Sequence, residues 1–204
     1  MDPDLDLLTR WGEGDKGAGS ELFRRHFDAV VWFFQNKVPA AVVEDLVQET
    51  FAACVESRAQ FRGTGRFRGY LLGVAHNVMR GHYRKRQRKG ADQIDFGVSS
   101  VADLGPSPSA IVARRSEQSM LLRALQSIPL DHQVLLELFY WETKSAVAIG
   151  EILSLPEGTV RTRLRRAKQL LADAIEANSI DPALVHATLS GLDEWAKKLR
   201  EPTD

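Results

Sequence analysis

The chain has 204 residues, long enough for two small domains, and its 44% hydrophobic and 26% charged residues are those of a globular protein rather than a disordered or fibrous one. No apolar run approaches the ~20 residues that cross a bilayer, the acidic opening Met1-Asp2-Pro3-Asp4 argues against a secretory signal peptide, and the single cysteine, Cys54, excludes an internal disulfide and fits a reducing compartment. The net charge of zero hides an uneven distribution: ten Lys/Arg and no acid over 57–91, five and no acid over 158–172, and seven acids against three bases from 173 onward.

Taken in chain order, residues 1–90 are helical by pattern. Leu22, Phe23, Phe27, Val30, Val31 and Phe34 recur at helical spacing and give one apolar face, which Pro39 ends. A second helix is expected from about 42 to 57, with Leu46, Val47, Thr50, Phe51 and Cys54 inward and Glu44, Asp45, Gln48 and Glu49 on the other face. Gly63, Gly65 and Gly69 interrupt the chain, with Phe61, Phe67 and Tyr70 among them. A third helix is expected from about 69 to 88, apolar along Leu71, Leu72, Val74, Ala75, Val78 and Met79 and basic at its end.

Residues 91–112 hold three Asp, no Lys or Arg, and the stretch Pro106-Ser107-Pro108-Ser109, the composition of a flexible linker. Residues 113–175 are helical again. Helices are expected over about 116–127 and about 130–141, the latter with Val134, Leu135, Leu138 and Phe139 inside. Ser145 suits the N-cap of a short helix ending near 153. Ser154-Leu155-Pro156-Glu157-Gly158 breaks the chain, and Thr159 can cap a last helix to about 174, with Val160, Leu164, Ala167 and Leu171 inward. Two short helices joined by a tight turn, the second highly basic, make a helix-turn-helix pattern. Residues 176–204 form a tail whose Leu192, Trp195 and Leu199 suggest a short amphipathic helix, either shielding a basic face or passive. With no repeat and no β-alternation, the expected fold is all-α: two small helical domains, 1–90 and 113–175, joined by a linker.

Three stretches carry chemistry. In Thr159-Val160-Arg161-Thr162-Arg163-Leu164-Arg165-Arg166 the arginines fall in the half of the helix that enters the major groove in helix-turn-helix proteins. There arginine can pair with guanine O6 and N7, and Arg161, Thr162 and Arg165 share one outward face. The plain alternative is a basic surface helix. The basic stretch from Phe61 to Lys89 is laced with aromatics that can stack on bases once these leave the duplex. Phe67 and Tyr70 are the candidates, and the alternative is that they belong to the core. Glu44-Asp45-Leu46-Val47-Gln48-Glu49-Thr50-Phe51 is acidic, suited to the arginines of a protein partner or simply to solvent.

These stretches carry a family resemblance. Glu44-Asp45-Leu46-Val47-Gln48-Glu49-Thr50-Phe51 resembles the region-two helix of sigma factors, which grips the clamp coiled coil of RNA polymerase. Phe67-Arg68-Gly69-Tyr70-Leu71-Leu72-Gly73-Val74-Ala75-His76-Asn77 is similar to their promoter-melting and minus-10-reading part. Glu151-Ile152-Leu153, Pro156-Glu157-Gly158-Thr159-Val160-Arg161 and Arg163-Leu164 resemble the region-four helix-turn-helix that reads the minus-35 element. Order, spacing and short linker match the extracytoplasmic-function subfamily, over about residues 5–175. The resemblance implies that Asp45, Gln48 and Glu49 contact polymerase. It implies that Phe67, Tyr70, Asn77, Arg80 and Arg84 serve minus-10 recognition and melting. Arg161, Thr162, Arg165 and Arg166 would read minus-35 bases, with Arg163 on phosphate. The implied partners are core RNA polymerase, promoter DNA and an anti-sigma factor, in the cytoplasm.

The chain departs from the family pattern at four positions. Tyr70 stands where Trp is usual, Lys144 where Leu is usual, Gly150 where Ala is usual, and Ser154 where the turn usually has Gly. A stand-alone helix-turn-helix repressor or activator would explain 113–175 and leave the first domain idle. An enzyme has little support: His26, His76, His82, His132 and His186 lie without a second ligand at metal spacing, and no phosphate-binding glycine loop is present. No cofactor, metal, membrane insertion or small-molecule substrate is expected.

Overall fold

The computed structural model describes residues 4–35, 37–57, 67–88, 95–100, 117–140 and 142–178. Phe61, most of the expected linker, Trp141 and the tail from 179 onward, including Leu192, Trp195 and Leu199, lie outside them. The chain divides into two compact units, Met1–Gln93 and Ile94–Asp204. The described residues are overwhelmingly helical, with an isolated antiparallel bridge from Ser100 to Pro129.

The first unit contains α1 (Leu5–Gly12), α2 (Lys16–Gln35), α3 (Ala40–Glu56) and α4 (Phe67–Arg88). Helix α1 has no counterpart in the apolar pattern, because only Leu7 and Trp11 face inward. Its anchors are specific. Buried Asp4 places Oδ2 2.7 Å from Nε2 of buried His26, and Trp11 packs edge-on against Phe23 and Phe67. Gly19 makes that approach possible, since a β-carbon there would stand 2.5 Å from the indole. Asp15 starts α2 by accepting the N–H groups of Gly17 and Ala18 at 2.8 and 3.1 Å, which satisfies donors the first turn would leave bare.

Helix α4 packs on α2 and α3 and buries Leu71, Leu72, Ala75, Val78 and Met79 of the stripe its sequence prescribes, while Val74, expected on the same side, is half-buried. The tyrosine end of that stripe is also internal: Tyr83 is 1% exposed and donates its hydroxyl to the carbonyl of Lys37. Lys37 is itself fully buried, its Nζ 2.7 Å from the carbonyl oxygen of Phe33 and 4.3 Å from the ring centre. Phe27, expected inward, is 48% exposed, and Phe51 is half-buried. Eight large aromatic and aliphatic residues on one 20-residue helix cover more arc than one packing face, and Phe27 falls at its edge.

The second unit contains α5 (Glu117–Ser127), α6 (Leu130–Tyr140), α7 (Ala146–Leu153) and α8 (Glu157–Asn178). Helix α6 is buried almost all round, including Gln133 and Glu137, whose side chains meet at 3.1 Å. Part of the stretch expected as linker folds onto it. The carbonyls of Ser99 and Phe96 accept the first N–H groups of α6, from Leu130 and Asp131, at 3.1 and 3.0 Å, and Phe96 is 6% exposed. Helix α8 carries its apolar stripe along Val160, Leu164, Ala167, Leu171 and Ile175 and so runs past the expected end.

The start of α8 corrects the capping expectation. Thr159 lies inside the helix, which begins at Glu157, and the N–H of Val160 already bonds the carbonyl of Pro156 at 3.1 Å. Proline's fixed φ and missing N–H suit a helix start, so Pro156 opens α8 instead of delaying it.

Candidate nucleic-acid interface

In the second unit the helix-turn-helix is built by α7, a tight turn and α8. Ser145 caps α7 as expected, its Oγ accepting the N–H of Ala148 at 3.2 Å. The turn reverses through Ser154, which adopts left-handed φ 56° and ψ 46°, a conformation that glycine takes without cost and serine does not. Gly150 answers for the tightness. Its carbonyl accepts the N–H of Leu155 at 2.8 Å. A β-carbon at 150 would meet the Leu155 carbonyl oxygen at 2.6 Å, too close to be accommodated.

Helix α8 presents Arg161, Thr162, Arg165 and Arg166 to solvent opposite its buried stripe. Arg163 is half-buried, its Nη1 3.9 Å from Oδ2 of Asp131 on α6. The Thr162 hydroxyl donates to the carbonyl of Gly158 at 3.0 Å. Arg161 is held by Glu157, one turn earlier, whose Oε1 accepts from Nε at 2.8 Å and Nη2 at 2.5 Å. Glu157 was not singled out from the sequence, because the helix was expected to start after it. Arg165 lines an open groove with Phe139, Ala146, Arg161, Leu164, Lys168 and Gln169. The Lys168 ammonium sits 4.4 Å from the centre of the Phe139 ring, which explains why Phe139, expected inside, is only half-buried. Lys168 adds a further exposed cation to this face.

In the first unit Asn77 and Arg84 are exposed and Arg80 half-buried. Spaced by three and four residues, they continue to exposed Arg88 as one stripe along α4. Phe67 requires a correction. It is 0% exposed, with Trp11, Phe23, His26 and Tyr70 around its ring at 5.5 to 6.5 Å, so it is a core residue and not a free stacking platform. Tyr70 is half-buried, and its hydroxyl lies 2.5 Å from Ser57 Oγ and donates to the Ser57 carbonyl at 3.1 Å. Burial pushes the Tyr70 pKa above 10, so the hydroxyl keeps its proton and acts as a clasp between the end of α3 and the start of α4.

On α3 the acidic face is intact: Glu44, Asp45, Gln48 and Glu49 are all exposed. Glu49 lies 3.5 Å from Lys85 of α4 and joins the two helices by a surface ion pair. Beside Gln48 the rings of Phe23, Phe27 and Phe51 line an open apolar groove with Arg24 and Asp28, and the Phe27 and Phe51 rings stack at 6.2 Å.

A polar helix face in one unit and a helix-turn-helix with an arginine-bearing second helix in the other are the two parts of an initiation factor of the sigma-70 family. The family models match in that order: sigma-70 region 2 over residues 22–89 and sigma-70 region 4 over residues 118–171. The chain is 27% identical over 193 residues to the RNA polymerase sigma-H factor of Pseudomonas aeruginosa, covering 86% of this chain and 95% of that one. It is 26% identical over 182 residues to the extracytoplasmic-function sigma-E factor of Haemophilus influenzae, covering 85% and 95%. In fold it matches CnrH, solved with the cytosolic domain of CnrY, at TM-score 0.61 with 21% identity over 86% of this chain and 99% of that one. It also matches RpoE of Bartonella quintana, solved with the anti-sigma factor NepR, at TM-score 0.60 with 18% identity over 78% and 98%. The chain belongs to the sigma-70 family, and within it to the extracytoplasmic-function group. It is an RNA polymerase sigma factor, a class of initiation factors that are generally not enzymes. Among the described residues no helix is long and apolar enough to cross a membrane.

Proposed function

We propose that the two units divide promoter recognition between them. Residues 1–90 hold core polymerase through Asp45, Gln48 and Glu49 on α3. The same unit handles the minus-10 element and strand opening through the α4 stripe of Asn77, Arg80 and Arg84. Residues 113–175 read the minus-35 element through Arg161, Thr162, Arg165 and Arg166, with Arg163 on a phosphate. Residues 176–204 remain outside this division. The chain makes and breaks no bonds itself. The polymerase does the chemistry, and the factor works where the polymerase is, in the cytoplasm. An anti-sigma factor is a further partner, as NepR is in the solved structure of Bartonella quintana RpoE.

The observation that carries this reading is the two-sidedness of α8. Val160, Leu164, Ala167 and Leu171 are buried while Arg161, Thr162, Arg165 and Arg166 are exposed on the helix that follows the tight turn. Phosphate contacts set register and base contacts set sequence, and an exposed arginine row can supply both. The polymerase half is tested by reversing charge on α3. Asp45→Arg with Glu49→Arg should abolish co-elution with core polymerase and promoter-specific transcription in vitro. Both sites are exposed, so the fold survives. Undiminished co-elution would remove α3 as the polymerase contact.

A further inference from the structure

The first turn of α8 contains an arrangement that base reading by arginine alone does not require. Glu157 is the first residue of the helix and Arg161 lies one turn later, both in solvent. One carboxylate oxygen takes two donors of the guanidinium, Nε at 2.8 Å and Nη2 at 2.5 Å. A guanidinium has five N–H donors in a planar fork, so three remain, both on Nη1 and the second on Nη2. Two of those three, one on Nη1 and one on Nη2, form the end edge of the plane, and no other partner holds them among the described residues. A bidentate grip on guanine O6 and N7 needs two parallel N–H donors. With the carboxylate on the Nε/Nη2 edge, the end edge is the one left to supply them.

We propose that Glu157 is a specificity-determining positioning residue: it fixes the plane of the Arg161 guanidinium with the end edge presented to a guanine in the minus-35 element. The inference rests on α8 being the minus-35 helix. Two consequences follow from charge and entropy. A long side chain fixed before binding loses less freedom on binding, so the correct base pair gains more than a wrong one. A carboxylate at the DNA face also repels phosphate, so it weakens sequence-independent binding while favouring the one geometry in which its arginine is satisfied. Glu157 thus acts against loose binding and for a particular base pair. The exposed cations Arg165 and Arg166 and the ring-stacked Lys168 act on affinity without such a restraint.

The test uses holoenzyme assembled from the full chain and core polymerase, in competition binding to duplexes in which each minus-35 position is varied. Arg161→Ala first identifies the base pair that this arginine reads. Glu157→Ala should lower discrimination at that same base pair by about three- to tenfold and leave other positions unchanged. It should also tighten binding to non-specific duplex, and Glu157→Gln should fall between. The double variant Glu157→Ala with Arg161→Ala should lose no more discrimination than Arg161→Ala alone. Unchanged discrimination in Glu157→Ala, with a clear effect of Arg161→Ala, overturns the positioning role and leaves the minus-35 reading standing. An equal loss at every position shows only a structural contribution to the helix and overturns it as well. If Arg161→Ala has no base-specific effect, the minus-35 reading of this residue fails and the positioning role with it.

Discussion

Gly150 and Leu155 meet backbone to backbone across the turn of the helix-turn-helix: the Leu155 N–H bonds the Gly150 carbonyl at 2.8 Å, and a β-carbon on Gly150 would stand 2.6 Å from the Leu155 carbonyl oxygen. Glycine inside a helix ordinarily costs about 1 kcal/mol relative to alanine, so propensity alone makes Gly150→Ala stabilising. Contact reverses the sign. Relieving that clash means moving the backbone that leads into α8, and Gly150→Ala should destabilise the second unit by about 1–3 kcal/mol. Ser154→Gly should do the opposite, by about 1 kcal/mol, because Ser154 is left-handed at φ 56°. Urea unfolding of both variants, followed by circular dichroism, checks the pair of signs. A more stable Gly150→Ala would mean that the turn relaxes freely.

Phe67 and Tyr70 should part company under mutation. Phe67 is sealed among Trp11, Phe23 and His26, so Phe67→Ala opens a cavity and should cost about 3–5 kcal/mol of stability. Any loss of strand opening would follow from that. Tyr70→Phe keeps the half-buried ring and removes only the hydroxyl that clasps Ser57, at a cost of about 1 kcal/mol. The measurement is thermal unfolding beside permanganate footprinting of the open complex. A folded, fully stable Phe67→Ala protein would contradict the packing described here.

The reasons some features were legible in the sequence and others were not are physical. The stripes of α4 and α8 could be read because each is bounded by polar or basic residues, so periodicity defines one face. Phe27, Phe51 and Phe139 were misplaced because hydrophobic spacing counts apolar side chains without knowing how wide a face the neighbours cover. Helix α1 went unseen because Leu7 and Trp11 alone make no period, and its docking depends on the absence of a side chain at Gly19. The sequence places the start of α8 three residues late because Pro156-Glu157-Gly158 reads equally as a breaker and as a proline-led first turn. That shift concealed the Glu157–Arg161 pair. Phe67 was ambiguous for a related reason: an aromatic beside a glycine-rich stretch has the same sequence signature inside a core as on a DNA face.

Acid should weaken the second unit through His132. Burial pulls this imidazole below its usual 6.5, Asp131 pulls the other way, and Arg163 and Arg166 add to the lowering. With the folded value below the unfolded one, the unfolded chain binds more protons near 6.5, and stability rises with pH across that interval. The contribution is therefore complete above the usual histidine value and is lost as pH falls through 6.5 toward the lowered folded value. His82 in the first unit shifts in the same direction, through burial first and Arg86 second. His132→Gln should flatten part of the loss in urea midpoint between about pH 7.5 and about pH 5.5 and leave the part due to His82. An identical pH profile for parent and variant would show that His132 does not carry the effect.

Arg163 and Arg165 are two residues apart on α8 yet differently placed, and that difference predicts two kinds of loss. Arg163 is half-buried and leans toward Asp131 of α6 at 3.9 Å, away from the row of Arg161 and Arg165. From there it can reach a phosphate beside the groove. Arg165 is exposed, lines the groove next to Phe139 and Lys168, and shares the outward face of Arg161. Base contacts carry sequence information, whereas phosphate contacts carry affinity and counterion release. Arg165→Ala should therefore cost about 1–3 kcal/mol on the preferred minus-35 element and relax the preference at one base pair. Arg163→Ala should weaken binding to all sequences about equally and reduce the salt slope by about 0.9, one phosphate's worth. Asp131→Asn, which removes the charge beside Arg163, should tighten binding to every sequence and leave base preference alone. Holoenzyme competition against a randomised minus-35 library at two salt concentrations separates the cases. The same pattern of loss for Arg163→Ala and Arg165→Ala would show α8 to be a generic basic surface, and the division of its arginines between bases and phosphate would be wrong.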